Sequence, residues 1–449
     1  MKFAKAIGSD EILGRVVRNS AHLFSGNAAS LVLSVLQGIL AARMLGPAGY
    51  GLIGIVMAYA STLNGILSFR MGELVVRYGG EYLERRQFDK AAALIKLSGI
   101  AELSVSLLAF AAVALTASLA TRFMAKTTGV EWMFMLYAVG LLCNFNTETA
   151  TGVLQITDTI RTRGVLNLVQ AAFSGSVIAI LFVWNARSSV DHKVALGVVL
   201  IAYLAAKAIF GIGLFVAAWR EAAKALGPRW QQADLTAIPS LRELLGFAVS
   251  SNLSATAILV FRESEVLWVG LFLSTEAAGL YKVAYTIVSL FSVPADPLIL
   301  SSYPEMNRLV VQRAWRPLQQ FLKKITTLSG LYNLVLALGL VIAGRWVLGV
   351  FGEQYIVAYP AMLALVAGLG FNYSLFWNRP LLLSFGLQKF ALGAILVVGL
   401  LKVFLAIPLV PRYGYFLEAA LLSGFYVLSV GAIVWRGLWE LRCRTLETG

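Results

Sequence analysis

Apolar residues run through this chain in helix-length stretches separated by short polar breaks. A bilayer crossing takes about 20 apolar residues, and twelve stretches reach that length. They lie at approximately 21–42, 50–70, 97–119, 132–156, 164–184 and 194–218, then at 246–273, 279–302, 325–344, 356–377, 390–410 and 415–435. None has the roughly ten-residue alternation of an outer-membrane strand. The pattern predicts an all-α polytopic membrane protein with 12 transmembrane helices. Its lobe boundary falls after the sixth, with residues 1–240 as one six-helix lobe and 241–449 as the other.

Composition excludes the soluble classes. The 449 residues are 59% hydrophobic and 13% charged, with mean hydropathy +0.78. A soluble domain is about 45–50% apolar and about 25% charged, so no large soluble enzyme fits. Of the 37 Lys and Arg residues, 25 fall on the tails and even-numbered loops and 7 on odd-numbered loops. The remaining 5 lie inside spans. Basic residues concentrate on cytoplasmic loops, which predicts two cytoplasmic termini. The +14 charge is thereby a topology signal, and nucleic acid is not an expected partner. The first apolar run is too long for a signal-peptide core, and no small-residue cleavage site follows it.

Metal and loop chemistry are sparse. Cys143, Cys443, His22 and His192 lack metal-site spacing, so neither a metal nor a cofactor is expected. The outer loops are short, 120–131 and 185–193 being the longest in the first half. That disfavours a polysaccharide polymerase or membrane-embedded transferase, which needs an extramembrane active-site loop. Residues 77–96, RYGGEYLERRQFDKAAALIK, predict an amphipathic helix lying on the anionic inner leaflet.

The chain also repeats itself. At a shift of 228, Leu45, Gly51 and Leu52 match Leu273, Gly279 and Leu280. The same shift aligns Asn144, Phe145, Leu154 and Arg161 with Asn372, Tyr373, Leu382 and Lys389. Six spans per repeat give both halves one orientation, the parallel arrangement found in some transporters.

Charges inside spans are the functional candidates, since each costs about 2.5–3.5 kcal/mol at a helix centre on insertion scales. The bases are Arg70, Lys207, Arg262, Lys282 and Lys402, and the acids are Glu102, Glu148, Glu263, Glu265 and Asp296. Lys207, Arg262 and Lys402 sit nearest the span centres. Arg70, Glu102 and Glu148 lie toward cytoplasmic ends and Lys282 toward the outer end, where snorkelling is cheap. In FRESE at 261–265, an α-helix would place Arg262 and Glu265 on one face, i,i+3, with Glu263 about 100° away. Arg262 would meet an anionic substrate, or simply pair with its acids to hold the span against a neighbour. In VPADP at 293–297, Pro294 and Pro297 predict a broken helix with Asp296 as a hinge or coupling residue.

Several stretches resemble one family. ARMLGPAGYGLIGIVMAY at 42–59, VVRYGGEY at 75–82, GVLQITDTIRTRG at 152–164, GLYKVAYTIVSLFS at 279–292 and VFGEQYIVAYPAMLALVAG at 350–368 are similar to the polysaccharide transporter family. These are O-antigen-type oligosaccharide-lipid flippases of the multidrug/oligosaccharidyl-lipid/polysaccharide exporter superfamily. The resemblance implies two pseudo-symmetric six-helix bundles around a central cavity, working by alternating access in a bacterial inner membrane. It implies an isoprenoid-pyrophosphate-linked oligosaccharide as substrate and no enzymatic step. Membrane lipids, a polysaccharide polymerase and glycosyltransferases are the implied partners. Spans 1, 2, 7 and 8 usually line the cavity in this family. That favours Arg43, Arg70, Arg262 and Lys282 as partners of pyrophosphate, with Lys207 and Lys402 outside those spans. Glu263, Glu265 and Asp296 are the coupling or counter-ion candidates, for H+ or Na+. The alternatives are a multidrug or cation exporter of the same superfamily, expected to show an acidic cavity, and a polysaccharide polymerase.

Overall fold

The computed structural model describes residues 9–188, 190–237, 252, 256 and 258–447, with side chains from Ala29 onward except those of 237, 296, 297, 300 and 447. Among these residues every regular element is helical. The first is α1 (Ser9–Leu67), kinked where Gly46 takes φ 65° ahead of Pro47. Glycine alone enters that region without strain, and proline removes the next amide donor. Short α2 (Met71–Leu74), a π turn (Val75–Gly79) and α3 (Gly80–Glu84) follow. Next come α4 (Phe88–Ala120), α5 (Glu131–Cys143), α6 (Thr147–Ile156), α7 (Arg161–Ser188) and α8 (His192–Leu226). A second π turn (Thr121–Ala125) closes α4, and after a third (Leu259–Glu263) come α9 (Glu265–Phe272), α10 (Thr275–Ser289) and α11 (Ser292–Val311). The chain ends in α12 (Trp315–Phe351), α13 (Tyr359–Ser374), α14 (Asn378–Ser384), α15 (Gln388–Tyr413) and α16 (Tyr415–Glu447).

Among the described residues, eight helices are long and apolar enough to cross a membrane. Their outer faces carry bare apolar side chains, such as Leu115 at 81%, Ile342 at 83% and Phe404 at 73% exposure. Lipid, not water, is the solvent that tolerates such faces. The protein is a polytopic all-α membrane protein.

By contacts the chain divides into two compact units. One spans Ala29–Gly279, and the other holds Leu280–Gly449 with the chain's start up to Ala28. The first unit therefore extends past residue 240, where the span count draws the lobe boundary. Close glycine packing accounts for it. A Cβ on Gly51 would meet the Thr275 carbonyl and lie 2.6 Å from the Gly279 nitrogen, and one on Gly279 would meet the Pro47 carbonyl. Helix backbones without a hydrophobic drive between them approach through such small residues. In the second unit Gly368 of α13 packs likewise against Ser423 of α16. The apolar cores are Val75, Ile95, Val153 and Leu214 in one unit, and Leu318, Phe321, Phe376 and Leu381 in the other.

Three local expectations are corrected. Residues 77–96 do not form one surface helix. The chain turns at Arg85–Gln87, with Arg86 at φ 58°, and Ala91–Ile95 are buried in the start of α4. The helix break near VPADP falls earlier, at Leu290–Phe291, and residues 292–311 are helical through both prolines. Pro294 sits in the first turn of α11, where the lost amide would have had no helical partner. Residue 296 accordingly has a helical backbone, and the Asp296 side chain lies outside the described residues. The i,i+3 alignment of Arg262 and Glu265 also fails. Arg262 and Glu263 belong to the π turn, and the helix restarts at Glu265 after Ser264 leaves helical geometry. Ser264 N–H donates to the Leu259 carbonyl at 3.1 Å, closing the wider turn, and its hydroxyl donates to Val260 O.

Two turns recur in the units. Gln87 N–H donates to Tyr82 O at 2.8 Å across left-handed Arg86, and Ala314 N–H to Leu309 O at 2.9 Å across left-handed Arg313. Thr159 N–H donates to Leu154 O at 2.9 Å across Asp158, and Leu387 N–H to Leu382 O at 2.8 Å across Gly386. All four are Schellman-type helix ends, in which a left-handed residue lets a later amide satisfy an orphan carbonyl. Ala314 follows Gln87 by 227 residues and Leu387 follows Thr159 by 228.

Candidate functional site

The polar heart of the first unit is a broken helix. Asn144, Phe145 and Asn146 interrupt the run between α5 and α6. Asparagine side chains compete with the backbone for its own hydrogen bonds, and here Asn144 donates to Gly140 O at 3.2 Å. Thr147 then donates through its hydroxyl to Asn144 O at 3.0 Å. The break leaves the amides of Glu148 and Thr149, in the first turn of α6, without helical acceptors. Glu102 of α4 supplies the acceptors. Its two oxygens take the N–H groups of Glu148 at 2.8 Å and Thr149 at 2.9 Å. A carboxylate at a helix N-terminus also meets the positive end of the helix dipole. Glu102 is buried, 8% exposed, so it is a cap and not the snorkelling acid that its position near a span end suggests.

Two cavities adjoin this break within the same unit. The inner one, about 320 Å³, is lined by Asn64, Gln170, Asn144, Glu148, Lys207 and Phe210, among others. The outer one, about 200 Å³, shares Asn64, Ser68, Glu148 and Lys207 and adds Arg70 and Leu259. Ser68 donates to Glu148 Oε1 at 3.2 Å. Arg70 sits in the left-handed region, φ 52°, just before α2, and its charge acts on Glu148. Lys207 of α8 holds its ammonium 4.9 Å from the Tyr137 ring centroid, a cation–π distance. The structure therefore brings Arg70 and Lys207 to the wall of the outer cavity together with one acid, Glu148, while Glu102 lines only the inner one.

The other candidates stand apart from these cavities. Arg43 is exposed on α1 ahead of the Gly46 kink, and Arg262 is half-buried on the π turn. Neither lines the inner or the outer cavity, although Leu259 of the Arg262 turn does line the outer one. Glu263 is exposed, whereas Glu265 is buried at 2%. Lys282 is half-buried in α10. Lys402 of α15 is engaged with Glu418 of α16 at 3.1 Å, both side chains almost wholly buried in the second unit. Its charge is matched inside the protein rather than presented to a cavity.

Asn64 and Gln170 were not legible as site residues, since single amides in apolar spans carry no spacing signal. The only clue in the sequence is the run NFNTE at 144–148, where amides and a hydroxyl precede an acid as at a helix start.

Comparison with known proteins gives a consistent neighbourhood. A family model described as "Polysaccharide biosynthesis protein" matches residues 16–310. Inner membrane protein YghQ of Escherichia coli (strain K12) is 28% identical over 364 residues, covering 78% of this chain and 96% of that protein. Teichuronic acid biosynthesis protein TuaB of Bacillus subtilis (strain 168) is 22% identical over 193 residues, 38% of this chain and 40% of that protein. Among solved structures, the inward-facing conformation of a multidrug resistance MATE family transporter of the MOP superfamily superposes with TM-score 0.69 at 14% identity. It covers 93% of this chain and 96% of the other. That likeness is one of fold.

Proposed function

We propose, because this chain belongs to the polysaccharide biosynthesis protein family, that it is a membrane transporter for lipid-linked glycans. In this reading it flips an isoprenoid-pyrophosphate-linked oligosaccharide, of the O-antigen or lipopolysaccharide repeat-unit kind, from the cytoplasmic to the outer leaflet of a bacterial inner membrane. The family match over residues 16–310 is the observation that carries it. No covalent step is required, only a site whose affinity differs between two conformations.

The reading includes twelve spans in two six-helix bundles around a central cavity, with both termini cytoplasmic. The paired Schellman ends 227 and 228 residues apart support such a repeat. Arg70 and Lys207 are the first cationic partners for the pyrophosphate, since they share a wall, and Arg262, Lys282 and Arg43 are further ones. Lys402 is the weakest member of that set, because Glu418 already answers its charge. Glu263, Glu265 and Asp296 remain the coupling candidates for H+ or Na+.

The test is transport of a labelled polyprenyl-pyrophosphate oligosaccharide by purified protein in proteoliposomes. The wild type is expected to flip it and Arg70→Ala, which alters the cationic wall of the outer cavity, to slow flipping at least tenfold. A wild type that leaves the lipid in its starting leaflet refutes the flippase. A second reading, an exporter of cationic compounds, is favoured by Glu102 and Glu148 lining the inner cavity. Extrusion of a cationic dye in place of the lipid selects it.

A further inference from the structure

The two cavities of the first unit differ in chemistry although they share walls. Arg70 lines only the outer one, whereas Gln170 and Asn144 line only the inner one. The charges on the inner wall are largely answered already. Both Glu102 oxygens accept α6 amides, Glu148 accepts from Ser68, and Lys207 faces the Tyr137 ring. Polar capacity that is still unspent belongs to amides. Neither the Asn64 nor the Gln170 side chain makes a hydrogen bond among the described residues, and both line the inner cavity.

An amide offers two donors and an acceptor in one plane. That matches neighbouring hydroxyl groups, each of which both donates and accepts. The apolar ring of Phe210 on the same wall offers a surface for a C–H face. A volume of about 320 Å³ falls at the small end of ligand pockets, which run from about 300 to 1,000 Å³. The hydrogen-bonding capacity left open on this wall is that of the Asn64 and Gln170 amides, which suits a polyhydroxylated ligand.

We infer that the inner cavity is a glycan subsite, in which Asn64 and Gln170 bind an uncharged sugar hydroxyl pair while Arg70 in the outer cavity takes the phosphate next to it. This inference rests on the flippase reading and divides the substrate between the two cavities. It makes the first sugar, and not the pyrophosphate alone, a determinant of recognition.

The experiment compares two probes in proteoliposomes: bare polyprenyl pyrophosphate, and the same lipid carrying one N-acetylglucosamine. KM is measured for each with the wild type, the double variant Asn64→Ala/Gln170→Leu, and Arg70→Ala. Gln170→Leu keeps the side chain's bulk and removes its hydrogen bonding, and Gln170→Leu alone serves if the double variant is not recovered folded. The wild type is expected to prefer the glycosylated lipid about tenfold, equivalent to about 1.4 kcal/mol. In the amide variant that ratio falls toward one, and in Arg70→Ala the KM rises for both lipids alike. A wild type that flips both lipids without preference overturns the subsite and leaves the flippase standing. So does an amide variant that keeps the preference. A wild type that flips neither lipid overturns the flippase reading and the subsite with it.

Discussion

The Lys402–Glu418 pair offers the sharpest quantitative test of how this protein uses its charges. The ammonium and carboxylate lie 3.1 Å apart with side chains 2% and 0% exposed. Neither Glu418 oxygen accepts a well-aligned hydrogen bond among the described residues. On the carboxylate side, desolvation is thus offset mainly by the attraction of the Lys402 ammonium. Removing one member leaves an uncompensated buried charge, which costs about 3–5 kcal/mol. Replacing both by apolar residues of similar size removes the desolvation cost as well, and is neutral or stabilising by about 1–4 kcal/mol. Lys402→Met and Glu418→Leu are therefore each expected to lower the unfolding temperature, and the double variant to restore it. With about 2–4 °C per kcal/mol for a unit of this size, the single variants should fall by roughly 6–20 °C. Thermal unfolding of the purified protein, followed by tryptophan fluorescence in one detergent, reads all four. If Lys402→Met unfolds within a degree or two of the wild type, the pair is not a desolvated ion pair and the reasoning is refuted. Flipping by the double variant at the wild-type rate then assigns Lys402 to the fold alone.

Other consequences follow from the same contacts. Glu102→Ala leaves two α6 amides without their acceptors and should destabilise the protein by roughly 1–3 kcal/mol net, visible as faster amide exchange at Glu148 and Thr149 than in Glu102→Gln. Gly51→Ala puts a methyl group against the Thr275 carbonyl, and overpacking of this kind costs about 1–3 kcal/mol or more. Gly175→Ala, in open space on α7, should instead stabilise by about 0.5–1 kcal/mol, since alanine loses less chain entropy in a helix. Equal melting temperatures for the two glycine variants would contradict the close approach of Gly51 to Thr275–Gly279.

Hydrophobic pattern and composition were enough to identify an all-α membrane protein. Burial in lipid demands long apolar helices, and that demand is written in every stretch of about 20 residues. Gly51 and Gly279, matched in sequence at a shift of 228, also prove to be neighbours, because small residues mark where helix backbones meet. Charge placement was legible only in part. An ionisable residue in an apolar span announces that it needs an answer, but the answer lies on another helix. Lys402 finds Glu418, Glu102 finds the amides of α6, and Lys207 and Arg70 come to one wall from residues 137 apart in sequence. The π turn at Leu259–Glu263 separates the expected i,i+3 pair, leaving Arg262 half-buried on the turn and Glu265 buried in the helix after it, since an extra residue per turn changes which side chains share a face. The sequence by itself thus determined the solvent, the helices and which charges had to be explained. Only the tertiary structure decided which of those charges are spent inside the protein and which face a cavity, because a hydrogen bond or ion pair depends on distances between helices that no local pattern encodes.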